Sequence, residues 1–103
     1  MGERMPRVFV SQPMRGYSEE DILRERERAL KAAKYYLGVD EVVEIPSYIP
    51  QIKDKNPVQC IGASVSLMAD ADLVIFCRGW YGARGCRVEH AVASEYGLEY
   101  KEI

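Results

Sequence analysis

Short apolar runs alternate along this chain with longer stretches in which apolar residues return every three or four positions. The run "RVFVS" (7–11) is β-branched and aromatic, and "QPMRGYS" follows at once, its Pro13 and Gly16 breaking regular structure; this reads as a strand running into a loop. Ser18 ahead of Glu19, Glu20 and Asp21 marks a capped helix start. Leu23, Arg26, Leu30, Ala33 and Leu37 then recur at steps of three and four, up to a stop at Gly38. "EVVEI" (41–45) is a second strand, and "PSYIPQIKDK" (46–55), with two prolines and no period, is a long loop of the kind that covers a ligand site. Asn56 before Pro57 opens a second helix with Val58, Ile61, Val65 and Met68 as its buried stripe. "DLVIFC" (72–77) is apolar throughout, as a central parallel strand covered on both faces requires. "GCRVEHAVASEYG" (85–97) is a third helix bracketed by glycines, and "LEYKEI" (98–103) a last short strand.

Strands alternating with helices imply a parallel sheet with right-handed crossovers. The expected fold is a small three-layer α/β domain of the flavodoxin or Rossmann type, one domain over residues 1–103, with four or five parallel strands. In such sheets a ligand sits beyond the C-terminal ends of the strands, where the strand order reverses. Two loops meet that description, "SQPMRGYS" after the first strand and "RGWYGARG" after the third.

Composition narrows the partners. Hydrophobic residues make up 48% of the 103 positions and charged residues 29%, with a net charge of -2, so neither a nucleic-acid polymer nor a membrane is demanded. No apolar run is long enough for a signal peptide or a spanning helix, which gives a cytoplasmic expectation. Cys60, Cys77 and Cys86 lack CxxC spacing and His90 is the single histidine; the cysteines read as reduced thiols, and neither a metal nor a cofactor is expected. The outer face of the first helix carries charges at i,i+4 spacing, as in Glu20 with Arg24, a pairing worth about 0.2–0.5 kcal/mol. Arg26 lies inside the apolar stripe instead, so it either snorkels or faces a subunit partner.

Neither loop has GxGxxG or GxxxxGK[ST] spacing, so no dinucleotide or P-loop fingerprint is present. Each does lead from a strand end into a helix N-terminus, where free N–H groups and the helix dipole attract an anion. Arg15, Arg78 and Arg84 add positive charge, and Tyr17, Trp80 and Tyr81 offer faces on which a base could stack. A small-molecule nucleoside or nucleotide fits that chemistry. Against it stand simpler readings, in which Trp80 packs over the sheet and Glu89 answers the helix dipole. Val88, Ala91, Val92 and Glu95 or Tyr96 follow a buried spacing, which puts Glu89 one step round, at the rim of the crevice.

"VFVSQPMRG", "ADADLVIFCRGW" and "ARGCRVEHAVASEYGL" together resemble a small family of bacterial and phage-encoded proteins of uncharacterised function. That family is related to the nucleoside 2-deoxyribosyltransferases and the 2'-deoxynucleoside 5'-monophosphate N-glycosidases. The first resemblance covers nearly the whole chain. The second lies mainly in the order of elements and in Gly85, Glu89, Ala91, Ala93 and Gly97. It implies that Glu89 is a nucleophile attacking C1' of the sugar, since a carboxylate can trap an oxocarbenium-like centre as a glycosyl-enzyme. It also implies that the first loop, Ser11, Gln12, Pro13, Met14, Arg15 and Gly16, lines the sugar and phosphate region and that the chain assembles as a homo-oligomer; Trp80, Arg84 and Gly85 complete the candidate substrate-binding set.

Three positions depart from the enzymes' pattern. Ser64 stands where they have an aspartate that organises sugar and base, leaving it as a candidate helper. Ala83 replaces an aspartate or phosphate-binding serine, and Phe9 a tyrosine whose hydroxyl touches the nucleophile. On this reading Glu89 loses groups that orient it, which commonly matters by orders of magnitude in rate. An N-glycosidase or deoxyribosyltransferase-like enzyme, a binding module that keeps the pocket without chemistry, and a subunit used only for assembly therefore all remain open.

Overall fold

A computed structural model describes residues 4–46 and 56–103. The elements run β1 (Arg7–Ser11), α1 (Glu19–Leu37), β2 (Val43–Glu44), α2 (Pro57–Met68), β3 (Leu73–Phe76), a single 3-10 turn (Trp80–Gly82), α3 (Arg84–Glu95) and β4 (Tyr100–Glu102). All strand pairs are parallel, in the order β2-β1-β3-β4. The chain leaves β1 toward one edge and β3 toward the other, so the order reverses between these two strands and opens a crevice beyond their C-terminal ends.

Strand alternation sorts the core into two layers. Val8, Val10, Leu73, Ile75 and Cys77 pack against Ala29 and Ala33 of α1, whereas Phe9, Val74 and Phe76 pack against Met68 and Ala93 on the α2 and α3 side. The result is the expected three-layer α/β domain of the Rossmann or flavodoxin type, with four strands and three helices. Register along the central pair sets Val8 opposite Leu73 and Ser11 opposite Phe76, which places Ser11 at the crevice end.

Local signals account for the helix ends. Ser18 accepts from the Asp21 N–H at 3.1 Å, and Gly38 takes the left-handed conformation, φ 67°, that returns its N–H to the Lys34 and Tyr35 carbonyls. Asn56 and Gln59 cap each other reciprocally at 2.9 Å, with Pro57 at the first helical position. Glu20 and Arg24 pair at 2.9 Å as the spacing predicts.

Several sequence expectations need correction. β2 is two residues long instead of five; it pairs with β1 alone, and Ile45 already turns into the core with its N–H on the Val8 carbonyl. Leu23 is 60% exposed while Ala29 and Ala33 are fully buried, because small side chains let α1 sit close on the sheet. Val58 is exposed at the start of α2. On α3 the buried stripe is Cys86, Glu89 and Ala93, while Val88 and Tyr96 are exposed. Arg26 meets Glu44 and Gln12 of its own chain, so it does not call for a subunit partner. The expected covering loop falls at residues 47–55, outside the described residues.

Candidate functional site

The crevice is built from the ends of β1, α2 and α3. Ser11 is the last residue of β1 and shares the face of Phe9, so its hydroxyl points toward α3. Glu89 lies on the inner stripe of α3, one turn after Cys86, and is only 7% exposed. Ser11 Oγ donates to Glu89 Oε1 at 2.6 Å, and Ser64 Oγ from α2 donates to Oε2. One carboxylate thereby ties three elements together.

Its electrostatics are unusual for a buried acid. Burial pushes the Glu89 carboxyl above the usual carboxylate range, and the hydrogen bonds from Ser11 and Ser64 oppose that shift. Both partners are neutral hydroxyls, and no ion pair among the described residues reaches Glu89. Burial also raises the Cys86 thiol; the Ser11 hydroxyl beside it acts the other way and the Glu89 charge adds to the rise. Cys86 is therefore a protonated neighbour and not a thiolate nucleophile.

The cavity over Glu89 measures about 640 Å³, within the range of small-molecule sites. Of the residues expected there, Ser11, Gln12, Pro13, Met14, Arg15, Ser64, Arg84, Gly85 and Glu89 all line it. Gly16 and Trp80 do not. Trp80 instead stacks on His90, with ring centroids 3.8 Å apart and planes within 5°, and packs on Phe76; it covers the sheet on the far side of α3. Gln12 borders the cavity, but its amide donates to the Ile22 carbonyl at 3.1 Å and accepts from Arg26 at 2.8 Å. It braces the loop against α1 more than it offers groups to a ligand.

Arg15, on the loop after β1, and Arg84, the first residue of α3 after the loop that follows β3, are exposed at the rim. Those loops touch where Gly79, φ 84°, brings its α-carbon close to the Pro13 ring; a β-carbon there would lie 3.8 Å from Pro13 Cγ. The α3 N-terminus carries no side-chain cap, because its first flanking residue is Ala83, and Ala83 itself lines the crevice. Ile61 and Leu67 of α2 give an apolar wall, with Cys60 beside them.

The position of Glu89 overturns two expectations. It is at the floor and not at the rim, and it does not lack orienting groups. Ser11 supplies a hydroxyl two residues along the same strand face from Phe9, and Ser64 supplies another to the second carboxylate oxygen. The part of Ser11 in this contact was not read from the sequence, since 78 positions separate the partners. Ser64 and Cys60 sit one helical turn apart on α2, a spacing that could have flagged a crevice wall. Among the described residues no group of three or more His, Cys, Asp or Glu could hold a metal ion, and no helix is long and apolar enough to cross a membrane.

The described chain is a parallel α/β sheet with a buried carboxylate at its topological switch point. Within it, residues 6–101 match the family described as domain of unknown function DUF4406, and the chain belongs to that family. No curated protein and no solved structure matches it.

Proposed function

We propose that this protein cleaves the N-glycosidic bond of a nucleoside or nucleotide, with Glu89 as nucleophile. The observation that carries the reading is the carboxylate itself: buried at the floor of an open crevice, with each oxygen held by one serine hydroxyl. Two hydrogen bonds fix its plane and leave lone pairs directed at the cavity, which is what attack on a sugar carbon needs. In the first half-reaction the C1'–N bond breaks, its electron pair leaves with the base, and Glu89 Oε bonds to C1'. In the second, water adds to C1', releases the carboxylate and gives up a proton, which balances the proton the departed base takes from solvent; a second base in place of water makes the reaction a transfer. Arg15 and Arg84 at the rim suit an anionic group such as a 5'-phosphate, helped by the uncapped α3 N-terminus. The resemblance to the deoxyribosyltransferase and N-glycosidase enzymes supports the same residue in the same role.

The test is incubation with ribo- and deoxynucleosides and their 5'-monophosphates at high protein concentration, assayed for free base. Release that disappears in Glu89→Ala is expected. No release from any member of the panel rejects the reading for these substrates.

A binding module is favoured by one observation: Glu89 is the only carboxylate among the described residues that line the crevice, so no paired acid of the usual glycosidase kind stands opposite it. Ligand-induced thermal stabilisation without turnover, kept in Glu89→Gln, is the result that would select it.

A further inference from the structure

The unpaired charge of Glu89 says something about the ligand. A carboxylate 7% exposed is ordinarily matched by a cation, and Arg26 on the other side of the sheet is matched in that way by Glu44. Glu89 has two hydroxyls and no counter-charge among the described residues. Above it the crevice wall is apolar, from Ile61, Leu67 and Met14, and the arginines among the described lining residues are Arg15 and Arg84, both exposed. The charge order from floor to mouth is therefore negative, neutral, positive. A complementary ligand is positive at the floor, flat and apolar between, and negative at the mouth.

We infer that the crevice takes an N-riboside phosphate whose glycosidic nitrogen bears a fixed positive charge, a pyridinium N-riboside 5'-phosphate being the simplest such compound. This rests on the N-glycosidase reading and names its substrate class. The ligand supplies the counter-ion that the described residues leave out, directly over the carboxylate that is to attack. The chemistry agrees with the lining. When the C1'–N bond breaks, its electron pair neutralises the ring nitrogen, so the base leaves uncharged and takes no proton. Glu89 Oε bonds to C1', water then adds to C1' and frees the carboxylate, and one proton goes to solvent. No general acid is required, and the described lining offers hydroxyls, thiols and guanidinium groups in place of an imidazole or a second carboxyl.

Nicotinamide mononucleotide, cytidine and adenosine 5'-monophosphates, and ribose 5-phosphate separate the alternatives. For the cationic substrate kcat/KM should exceed that for the neutral-base nucleotides by about 100-fold, each corrected for the rate in Glu89→Gln. Its pH profile should rise once and then stay level, without an alkaline fall. In thermal shift the cationic compound should raise Tm by about 3 °C more than ribose 5-phosphate, and Glu89→Gln should remove that difference while remaining folded. Neutral-base nucleotides cleaved as well or better, or a bell-shaped profile, overturn the inference and leave the glycosidase reading intact. The charge-dependent Tm difference without any turnover supports the inference and rejects the enzyme. No charge-dependent difference and no turnover reject both.

Discussion

Beneath α1, the guanidinium of Arg26 is only 12% exposed and is met by the Glu44 carboxylate and, at 2.8 Å, by the Gln12 amide oxygen. Beneath α2 and α3, Glu89 is buried to a similar degree and is met by two hydroxyls. The α1 side closes its charges on themselves: Glu25 also holds Arg28 through two hydrogen bonds of 2.9 and 2.7 Å, and that contact keeps the Glu25 carboxyl below the usual range. The other side leaves a charge open toward a cavity. Closed pairing is what a scaffold needs, and open pairing is what a reactive group needs.

Removing each charge should therefore have opposite consequences. Glu89→Ala is expected to lower base release by about 10³-fold or more while the protein still unfolds cooperatively; equal release in the variant would break the comparison. Arg26→Met should act on stability, by about 2 kcal/mol read from the urea midpoint, because it strands Glu44 and the Gln12 amide. A midpoint unchanged from the parent would mean that the α1 network does not hold the fold together.

Ser11→Ala and Ser64→Ala sharpen the role of the two hydroxyls. Each takes away a hydrogen bond that favours the ionised carboxylate. The acidic limb of the pH–rate profile should move to higher pH, and kcat/KM at neutral pH should fall by about tenfold. A fall without movement of the limb would assign the serines to substrate contact instead.

The smallest effect concerns stability and its sign. Burial raises the folded-state pKa of Glu89 above its unfolded value, so the native state binds the extra proton between the two values and stability declines as pH rises through that window. Glu89→Gln removes the ionisation. It should be more stable than the parent by about 1 kcal/mol at neutral pH, with the advantage gone below the ordinary glutamate value of 4.5. A pH-independent difference would mean that the charge is not what the fold resists.

Much of this was legible before any coordinates. The continuous apolar run at 72–77 predicts the central strand, which spans Leu73–Phe76, and Ser18, Gly38, Asn56 and Pro57 mark helix ends through local interactions that need no distant partner. Of the expected crevice loops, residues 11–15 and 83–85 line one cavity. The failures have a common physical cause, which is contact between residues remote in sequence. Ser11 meets Glu89 across 78 positions, and Trp80 stacks on His90 and packs on Phe76, outside the cavity lining. The spacing of Val88, Ala91, Val92 and Glu95 or Tyr96 predicts a different α3 stripe from the true one, Cys86, Glu89 and Ala93, which has a carboxylate at its centre. An acid in the middle of a buried stripe is the signal that hydrophobicity alone passes over.

Glu89 is a buried carboxylate without a counter-charge among the described residues, and its own titration reads this directly. The carboxyl carbon-13 shift of Glu89, followed against pH in the ligand-free protein, is predicted to turn above the ordinary value of 4.5. A midpoint at or below that value would contradict the account, because it would mean that Glu89 is either solvated or already paired.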